Sequence, residues 1–352
     1  MTKNLIDKLV LILNDIGVTR IANITGYEDT IVYTFQSVRP NARHLIVDSG
    51  KGIDRDSAFI SCAVEAIERY VAEEHIDIGT SIRYEQLPRS VQQSSDKIIS
   101  CGTLKAVKAI EFNSQSTVYL PKQLIDYKNK TSDTLALKLF FAGTTGLGAH
   151  TDMNLAIYSG LIEILERDAI ASDHSPSLVN RQSLPSEADL YIDWIQKNVG
   201  EIELKYHKSK HGIFVFSCSC WNSEVVGGFN SMGASVNKLD ALVNCFMEGI
   251  QTWLMRISGT RDDWILSTRS LNIKALSNGN FIQYPEIGES LSSLPLHQQK
   301  IDFINNFNPL YVYQYVSSVQ LDPIKVVRVI LPNTSKLEQG EMFTGVPRGQ
   351  FL

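Results

Sequence analysis

The sequence predicts a mixed α/β protein that forms one composite domain. Short runs rich in Val, Ile and Tyr alternate with longer stretches of helical periodicity, and no low-complexity linker separates them. The chain has 352 residues, 43% of them hydrophobic and 20% charged, which is enough for one large core or two medium ones. Because nothing marks a boundary, we expect a single domain over residues 1–352.

The elements follow from these patterns in order along the chain. The amphipathic segment 1–17 is typical of a helix, with Leu5, Leu9 and Ile12 at helical spacing. Strands are predicted at 44–48, 116–121, 212–218, 310–316 and 324–332. Helices are predicted at 55–75, 152–172, 237–257 and within 182–200, the last with Ser186 as its cap. Segment 270–300, rich in Ser, Asn and Pro, predicts loop with short turns.

Composition excludes several classes of protein. A net charge of −5, with no run of Lys and Arg, argues against a general nucleic-acid binder. The N-terminal segment is interrupted by charges, unlike a signal peptide, and no apolar run approaches the ~20 residues that span a bilayer. We therefore expect a cytoplasmic protein without a membrane partner. Cys218 and Cys220 are too close in sequence for a zinc knuckle and fit a strand better.

One repeat points to function. Residues 61–70 read SCAVEAIERY, residues 159–168 read SGLIEILERD, and residues 244–253 carry the reduced form NCFMEGIQTW. In a helix, positions i, i+4 and i+7 share a face, so each repeat presents its acidic residues in one direction. The carboxylates in question are Glu65, Glu68, Glu163, Glu166 and Glu248.

The surroundings of these carboxylates are the informative part. Residues 155–165 are apolar around nearly the whole helix, which predicts burial. An unpaired buried carboxylate costs several kcal/mol, so cations must compensate. Magnesium prefers oxygen ligands and is usually held by one or two carboxylates plus substrate phosphates, and arginines suit phosphate oxygens. This reasoning predicts a nucleoside triphosphate with more than one Mg²⁺. The simpler interpretation, i,i+4 salt bridges on solvated helices, accounts for one repeat but poorly for three.

Two glycine-flanked segments precede the first two acidic helices. DSGKGID (48–54) places Lys51 between glycines, and GTTGLGAH (143–150) lies ahead of the second helix. Glycines let backbone N–H groups approach an anion, although neither segment has the P-loop pattern. No GxSxG, HExxH or Rossmann GxGxxG motif is present, and the seven scattered histidines receive no role.

These stretches together resemble the YcaO family. The motifs that carry the resemblance are GKGIDRDSAFISCAVEAIERY, TTGLGAHTDMNLAIYSGLIEILERDA, MEGIQTWLMRISGTRDD and the final strand IKVVRVILP. The resemblance implies a YcaO-type domain with repeated acidic helices around a central nucleotide cavity. The implied domain consists of an N-terminal portion (1–45), an ATP-binding core (46–335) and a C-terminal tail (336–352).

The resemblance also implies roles for individual residues. The five glutamates are expected at Mg²⁺ ions. The residues expected near ATP are Lys51, Ser61, Arg69, Arg167, Gln251 and Arg256. Glu166, Arg167 and Arg69 are expected to act in catalysis.

The implied reaction is ATP-dependent activation of a peptide backbone amide, giving an azoline or, with external sulfide, a thioamide. The tail GVPRGQFL lacks the PxPxP ending of many azoline-forming relatives, and residues 17–43 resemble stand-alone members that work with a TfuA-like partner. We expect a precursor peptide as substrate and a partner that presents peptide or sulfur, either TfuA-like or leader-binding (E1-like or ocin-ThiF-like). A homodimer is compatible with the apolar helices.

Three other functions stay open on the sequence. One is a different ATP-dependent amide ligase or small-molecule kinase, which would turn over ATP with a metabolite. Another is a nucleotide-binding, non-catalytic subunit of a modification complex. The last is a structural protein with buried salt bridges, which would not bind ATP.

Overall fold

The computed structural model of the protein describes residues 2–26, 29–74, 79–92, 103–127, 143–222, 227–259, 280–288, 294–332 and 334. The helices are α1 (Thr2–Asp15), α2 (Arg55–Glu74), α3 (Met153–Ser172), α4 (Ser186–Asn198), α5 (Lys238–Ser258) and α6 (Leu296–Ile304). Strands and helices are interspersed along the described chain, so the predicted mixed α/β class is confirmed.

The described part of the chain also contains fourteen strands. They are β1 (Arg20–Asn23), β2 (Tyr33–Val38), β3 (Val47–Gly52), β4 (Thr80–Arg83), β5 (Thr103–Glu111), β6 (Thr117–Pro121), β7 (Leu147–His150), β8 (Ser177–Val179), β9 (Glu201–Lys208), β10 (Phe214–Asn222), β11 (Gly227–Ser235), β12 (Phe281–Ile282), β13 (Tyr311–Gln314) and β14 (Lys325–Ile330).

Three sheets share one feature that positions the site. Their strand orders are β1-β2-β3, β4-β5-β13-β14-β7 (with β6 on β5), and β11-β10-β9-β8-β12. In each sheet, one edge strand runs directly into a long helix that carries the acidic repeat: β3 into α2, β7 into α3, and β11 into α5. The fold therefore contains three related strand–helix units.

Each of these three helices packs against the strand that precedes it, and a glycine of that strand lies at the contact. A Cβ placed on Gly50 would lie 1.9 Å from the backbone nitrogen of Cys62, far inside contact distance. The corresponding distances are 2.1 Å from Gly148 to the carbonyl oxygen of Ala156, and 2.4 Å from Gly233 to that of Ala241. Only a residue without a side chain permits this approach, which fixes each helix at the same height on its strand.

The opposite face of each strand is covered by the helix of another unit. Leu147 and Ala149 of β7 pack into the same core as Ala63 and Ile67 of α2. Strand β11 contacts α3, and β3 contacts α5, so the three units close into a ring.

Most predicted elements were found, with informative shifts. Ser186 is the first residue of α4 rather than its cap; Pro185 precedes it, and no side chain caps this end. The strand predicted at 44–48 instead covers Val47–Gly52. The predicted loop region 270–300 overlaps the start of helix α6, which begins at Leu296 directly after Pro295. Residues 260–279, 289–293 and the tail 336–352 lie outside the described residues.

The two remaining sequence interpretations concern cysteines and membranes. Cys218 and Cys220 are buried free thiols on strand β10, as the strand interpretation predicted. Among the described helices, none combines the length and the hydropathy that a membrane crossing requires.

The glycine contacts generate a stability prediction. We expect Gly50→Ala to lower the melting temperature more than Gly17→Ala, because the new methyl group would overlap the α2 backbone and force strand and helix apart. Gly17 has a φ of 80° but open space around it, so its substitution costs only about 1–2 kcal/mol of backbone strain. Thermal unfolding of both variants measures the difference. Equal losses would show that the close approach does not limit stability.

Candidate active site

Five carboxylates converge where the three acidic helices meet, and we call this place the acidic recess. Its members are Glu65, Glu68, Glu163, Glu166 and Glu248, each partly buried. Glu68 of α2 interacts electrostatically with Glu163 of α3, and Glu166 of α3 interacts with Glu248 of α5. The repeat seen in the sequence thus brings its acidic residues together in space.

Burial and repulsion make two of these carboxyl groups weak acids. Desolvation, followed by repulsion from Glu163 and Glu65, raises the pKa of Glu68 to about 8. Desolvation and the neighbouring Glu248 raise the pKa of Glu166 well above its usual range. Both side chains keep some accessible surface, so they line a recess and are not sealed in the core. When all five carboxylates are ionised, the recess carries more negative charge than its paired cations compensate.

Among the described residues, three cationic side chains form ion pairs with carboxylates of the recess. Arg69 donates through Nη2 to Glu65 Oε1 at 2.7 Å. The guanidinium Nη2 of Arg167 lies 2.5 Å from Glu163 Oε1. Lys51 Nζ lies 3.6 Å from Glu248 Oε2. These pairs join the first carboxylate of each repeat to a cation, but they leave Glu68 and Glu166 without a direct partner in the part of the chain that the structure describes.

Strand β3 contacts two helices, α2 and α5, because successive side chains of a strand point to opposite faces. Asp48 and Gly50 face α2, where Asp48 Oδ1 lies 3.2 Å from Arg69 Nε. Ser49 and Lys51 face α5, where the Ser49 hydroxyl accepts a hydrogen bond of 3.0 Å from Gln251 Nε2. The segment DSGKG is therefore a strand whose glycines allow helix packing, and the prediction of a glycine turn was wrong here.

The second glycine segment, residues 143–150, binds a carboxylate of the protein itself, that of Glu163. Gly146 has a φ of 87°, and its N–H donates to Glu163 Oε2 at 3.1 Å. The preceding residue, Thr145, accepts through its hydroxyl from Arg167 and through its carbonyl oxygen from Arg328 at 2.7 Å. This turn holds both members of the Glu163–Arg167 pair in place.

The other predicted residues lie at varying distance from the recess. Gln251 is buried at its wall, and Ser61 lies one helical turn before Glu65. Arg256 donates to the carbonyl oxygen of Gly228 at 2.8 Å. It follows Glu248 by about 12 Å of helix, so its guanidinium is engaged away from the acidic recess. His150 Nδ1 accepts from Asp152 N at 2.9 Å, a structural contact at the start of α3.

Sequence reasoning missed several residues that shape the site: Asp48, Ser49, Thr145 and Arg328. Spacing contained a usable signal, because the interval from Gly50 to Glu65 recurs from Gly148 to Glu163 and from Gly233 to Glu248. Aligning the three units on these glycines would have included the strands as part of the repeat. Arg328 is only 1% exposed within a strand of Val and Ile, which is itself unusual for a charged residue.

The donor set fits a nucleotide carrying Mg²⁺. Within the described residues, no three His, Cys, Asp or Glu side chains lie close enough to hold a metal ion by themselves. Magnesium commonly takes one or two carboxylates and completes its shell with phosphate oxygens and water, so the paired carboxylates suit it. Buried nitrogens of Arg69 (Nη1), Arg167 (Nε) and Arg328 (Nη2) have no hydrogen-bond acceptor in the described structure. Such donors match the oxygens of a polyphosphate.

The raised pKa of Glu68 predicts how stability depends on pH without ligand. Glu68 binds its proton more tightly in the folded state, with a pKa of about 8 against a usual value of 4.5. Folding stability should therefore fall as pH rises from 4.5 towards 8. We expect the melting temperature of Glu68→Gln to be a few degrees above that of the wild type near pH 8. Near pH 4.5 the two melting temperatures should be close to each other.

Thermal unfolding across this pH range measures the effect. Glu201→Gln, at an exposed position of β9, should follow the wild-type curve at every pH. Parallel curves for Glu68→Gln and the wild type would contradict the raised pKa.

Comparisons with known proteins agree with this geometry. The family model described as "YcaO cyclodehydratase, ATP- and Mg²⁺-binding" matches residues 49–335. A protein of Rhizobium leguminosarum bv. trifolii, named for its place in the tfuA 3′ region, is 25% identical over 281 residues, 72% of this chain and 65% of that protein. A protein of Methanothermobacter thermautotrophicus is 29% identical over 163 residues, 45% of this chain and 42% of the other. The chain thus spans less than two thirds of the length of either relative.

Solved structures share the fold. The structure of YcaO from Methanopyrus kandleri bound with AMPPCP and Mg²⁺ superposes with a TM-score of 0.74 at 17% identity, covering 99% of this chain and 96% of that one. The Escherichia coli microcin synthetase McbBCD complex with pro-MccB17 bound matches with a TM-score of 0.64 at 16% identity, covering 88% of this chain and 86% of the other. At these identities the likeness establishes the fold.

Proposed function

Since the chain belongs to the YcaO family, we propose that it binds ATP with Mg²⁺ and uses them to activate a backbone amide of a ribosomally made peptide. The observation that carries this proposal is the acidic recess itself, in which three strand–helix units gather five carboxylates and two arginines. A site with excess negative charge and unpaired arginine donors needs a ligand that brings both cations and anions. A magnesium nucleotide has that composition.

The proposed roles follow the position of each side chain. Glu65, Glu68, Glu163, Glu166 and Glu248 would hold Mg²⁺, and Lys51, Arg69 and Arg167 would contact phosphate oxygens. Gln251 and Ser61 would contact the nucleotide from the rim of the recess. We assign Arg256 the weakest contribution, since its guanidinium is bonded to Gly228. Residues 46–335 would form the nucleotide-binding core, with 1–45 and 336–352 as flanking portions.

The chemistry asks little covalent work of the protein. ATP, when bound, supplies the phosphoryl group that activates an amide oxygen. Glu166, Arg167 and Arg69 would orient the reacting groups and stabilise the charge that develops, which is the main source of rate in phosphoryl transfer. The pairs Arg69–Glu65 and Arg167–Glu163, together with the turn that holds Glu163, keep the two arginines preorganised, so these would need little rearrangement during reaction.

Among the possible products, we favour a thioamide over an azoline. The relative named for the tfuA 3′ region supports a TfuA-like partner, which fits sulfur delivery. The heterocyclase structures of the same fold, including the complex with pro-MccB17, support a peptide substrate presented by a partner. The alternative is a leader-binding partner with an azoline product, and mass spectrometry distinguishes the two products.

Binding tests the nucleotide part of the proposal. We expect titration calorimetry to detect a non-hydrolysable ATP analogue in the presence of Mg²⁺ and not in its absence. Glu166→Gln should weaken this binding roughly 10- to 100-fold, because one metal-facing charge is lost. Glu201→Gln makes the same chemical change at an exposed position of β9 and should bind like the wild type. Equal binding by all three proteins would contradict the proposed metal site.

Mass spectrometry tests the reaction. A precursor peptide encoded nearby would be incubated with the enzyme, its partner, ATP, Mg²⁺ and sulfide. A gain of about 16 Da per site indicates a thioamide, and a loss of about 18 Da indicates a ring. We expect the gain, dependent on ATP. An unmodified peptide together with ATP turnover on a small metabolite would instead favour a ligase or kinase.

A further inference from the structure

Asp48 is a buried carboxylate in the acidic site whose role the motifs do not explain. It is 1% exposed, and neither of its carboxylate oxygens has a hydrogen-bond partner within the described residues. Desolvation is the main cause that raises its pKa to about 7. A carboxylate in this position lowers the stability of the fold, so its retention points to a task in the site.

Among the residues that the structure describes, Arg69 is the cation that lies close enough to Asp48 for a direct ion pair. Its Nε lies 3.2 Å from Asp48 Oδ1. Arg39 also interacts electrostatically with Asp48, but its Nη2 is paired with Glu73 Oε2 at 2.6 Å. Both of those side chains are buried. Asp48 therefore acts on Arg69 and has little influence on other groups.

The guanidinium of Arg69 is held on two of its three nitrogens. Nε faces Asp48, and Nη2 donates to Glu65 at 2.7 Å. The third nitrogen, Nη1, is buried and has no acceptor in the described structure. A planar guanidinium fixed at two corners has no freedom to turn the third, so its direction is set by the protein.

In the second strand–helix unit the motif arginine is also held by two groups, but the atoms that hold it differ. Arg167 stands where Arg69 stands in the first unit, and it pairs with Glu163 as Arg69 pairs with Glu65. Its anchor on the strand side is the hydroxyl of Thr145. In the first unit, Val47 occupies the position of Thr145, and the neighbouring Asp48 supplies the anchor. Two units thus tie the motif arginine to the residues just ahead of the strand glycine.

We infer that Asp48 is a positioning residue of this site: it holds the Arg69 guanidinium so that Nη1 is left to donate to an anionic oxygen of the ligand. This inference rests on the proposed binding of a magnesium nucleotide. Asp48 itself does not touch the ligand and acts through Arg69. The same reasoning gives Thr145 the corresponding task for Arg167.

The experiment compares full-length variants by calorimetric titration with AMPPCP and Mg²⁺, and by thermal unfolding without ligand. Asp48→Asn keeps the shape of the side chain and removes its charge. We expect it to weaken binding about 10-fold, as is usual for residues that orient a ligand-binding group. We also expect its melting temperature to equal or exceed that of the wild type, because an unsatisfied buried charge is gone.

Asp168→Asn is the matched control. Asp168 is 2% exposed on α3, but it faces Lys210 and His211, each 3.2 Å away, outside the acidic recess. We expect this variant to melt at a lower temperature and to bind AMPPCP like the wild type. The two buried aspartates should therefore give opposite patterns of stability and binding.

A double-mutant cycle tests whether Asp48 acts through Arg69. Arg69→Gln should weaken binding, and adding Asp48→Asn should cause little further loss. A full additional loss in the double variant would overturn the inference, as would wild-type affinity in Asp48→Asn, or a fall in its melting temperature like that of Asp168→Asn. If the wild type itself fails to bind AMPPCP with Mg²⁺, the proposed function fails and this inference with it. Wild-type binding with an unaffected Asp48→Asn variant would overturn the role of Asp48 alone.

Discussion

The site depends on the close approach of three helices to three edge strands at Gly50, Gly148 and Gly233. Each contact leaves no room for a Cβ, so each helix lies at one fixed height on its strand. The first carboxylate of each repeat follows its glycine at the same interval, and a common height therefore brings all three to a common centre. Apolar packing of each strand against the next helix then closes the ring and keeps the acidic groups facing inward.

This arrangement works against the stability of the empty protein. Asp48, Glu68 and Glu166 are held where their charged forms are poorly solvated, and their pKa values rise accordingly. Lys51, Arg69 and Arg167 offset part of this cost by pairing with neighbouring carboxylates, and Arg69 also lies beside Asp48. When its carboxylates are ionised, the recess lacks positive charge, and the magnesium nucleotide proposed above would supply it. The groups that destabilise the fold are thus the ones to which the proposal gives a function.

Interpretation of the sequence succeeded where the physics is local. Helical periodicity placed α2, α3 and α5 within a residue or two, and i,i+4 spacing anticipated the pairs of Glu65 with Arg69 and of Glu163 with Arg167. It failed where distant segments decide. The residues around Lys51 were interpreted as a glycine turn because their pairing with β2 cannot be seen locally. The hydrogen bond from Arg256 to a carbonyl group on β11 is likewise invisible in the local pattern.

The sequence alone determined the class of fold, the three acidic helices and the family, because periodicity and motif spacing are properties of the chain itself. It also identified the carboxylates and the paired arginines, since both follow from helix geometry. Only the tertiary structure decided which groups meet: that Ser49 bonds Gln251, that Gly146 serves Glu163, and that Asp48 faces Arg69. These contacts join residues from different elements, and their geometry comes from strand pairing and helix packing over long separations in the chain. That is why the anchors of the site appear in the structure and not in the sequence.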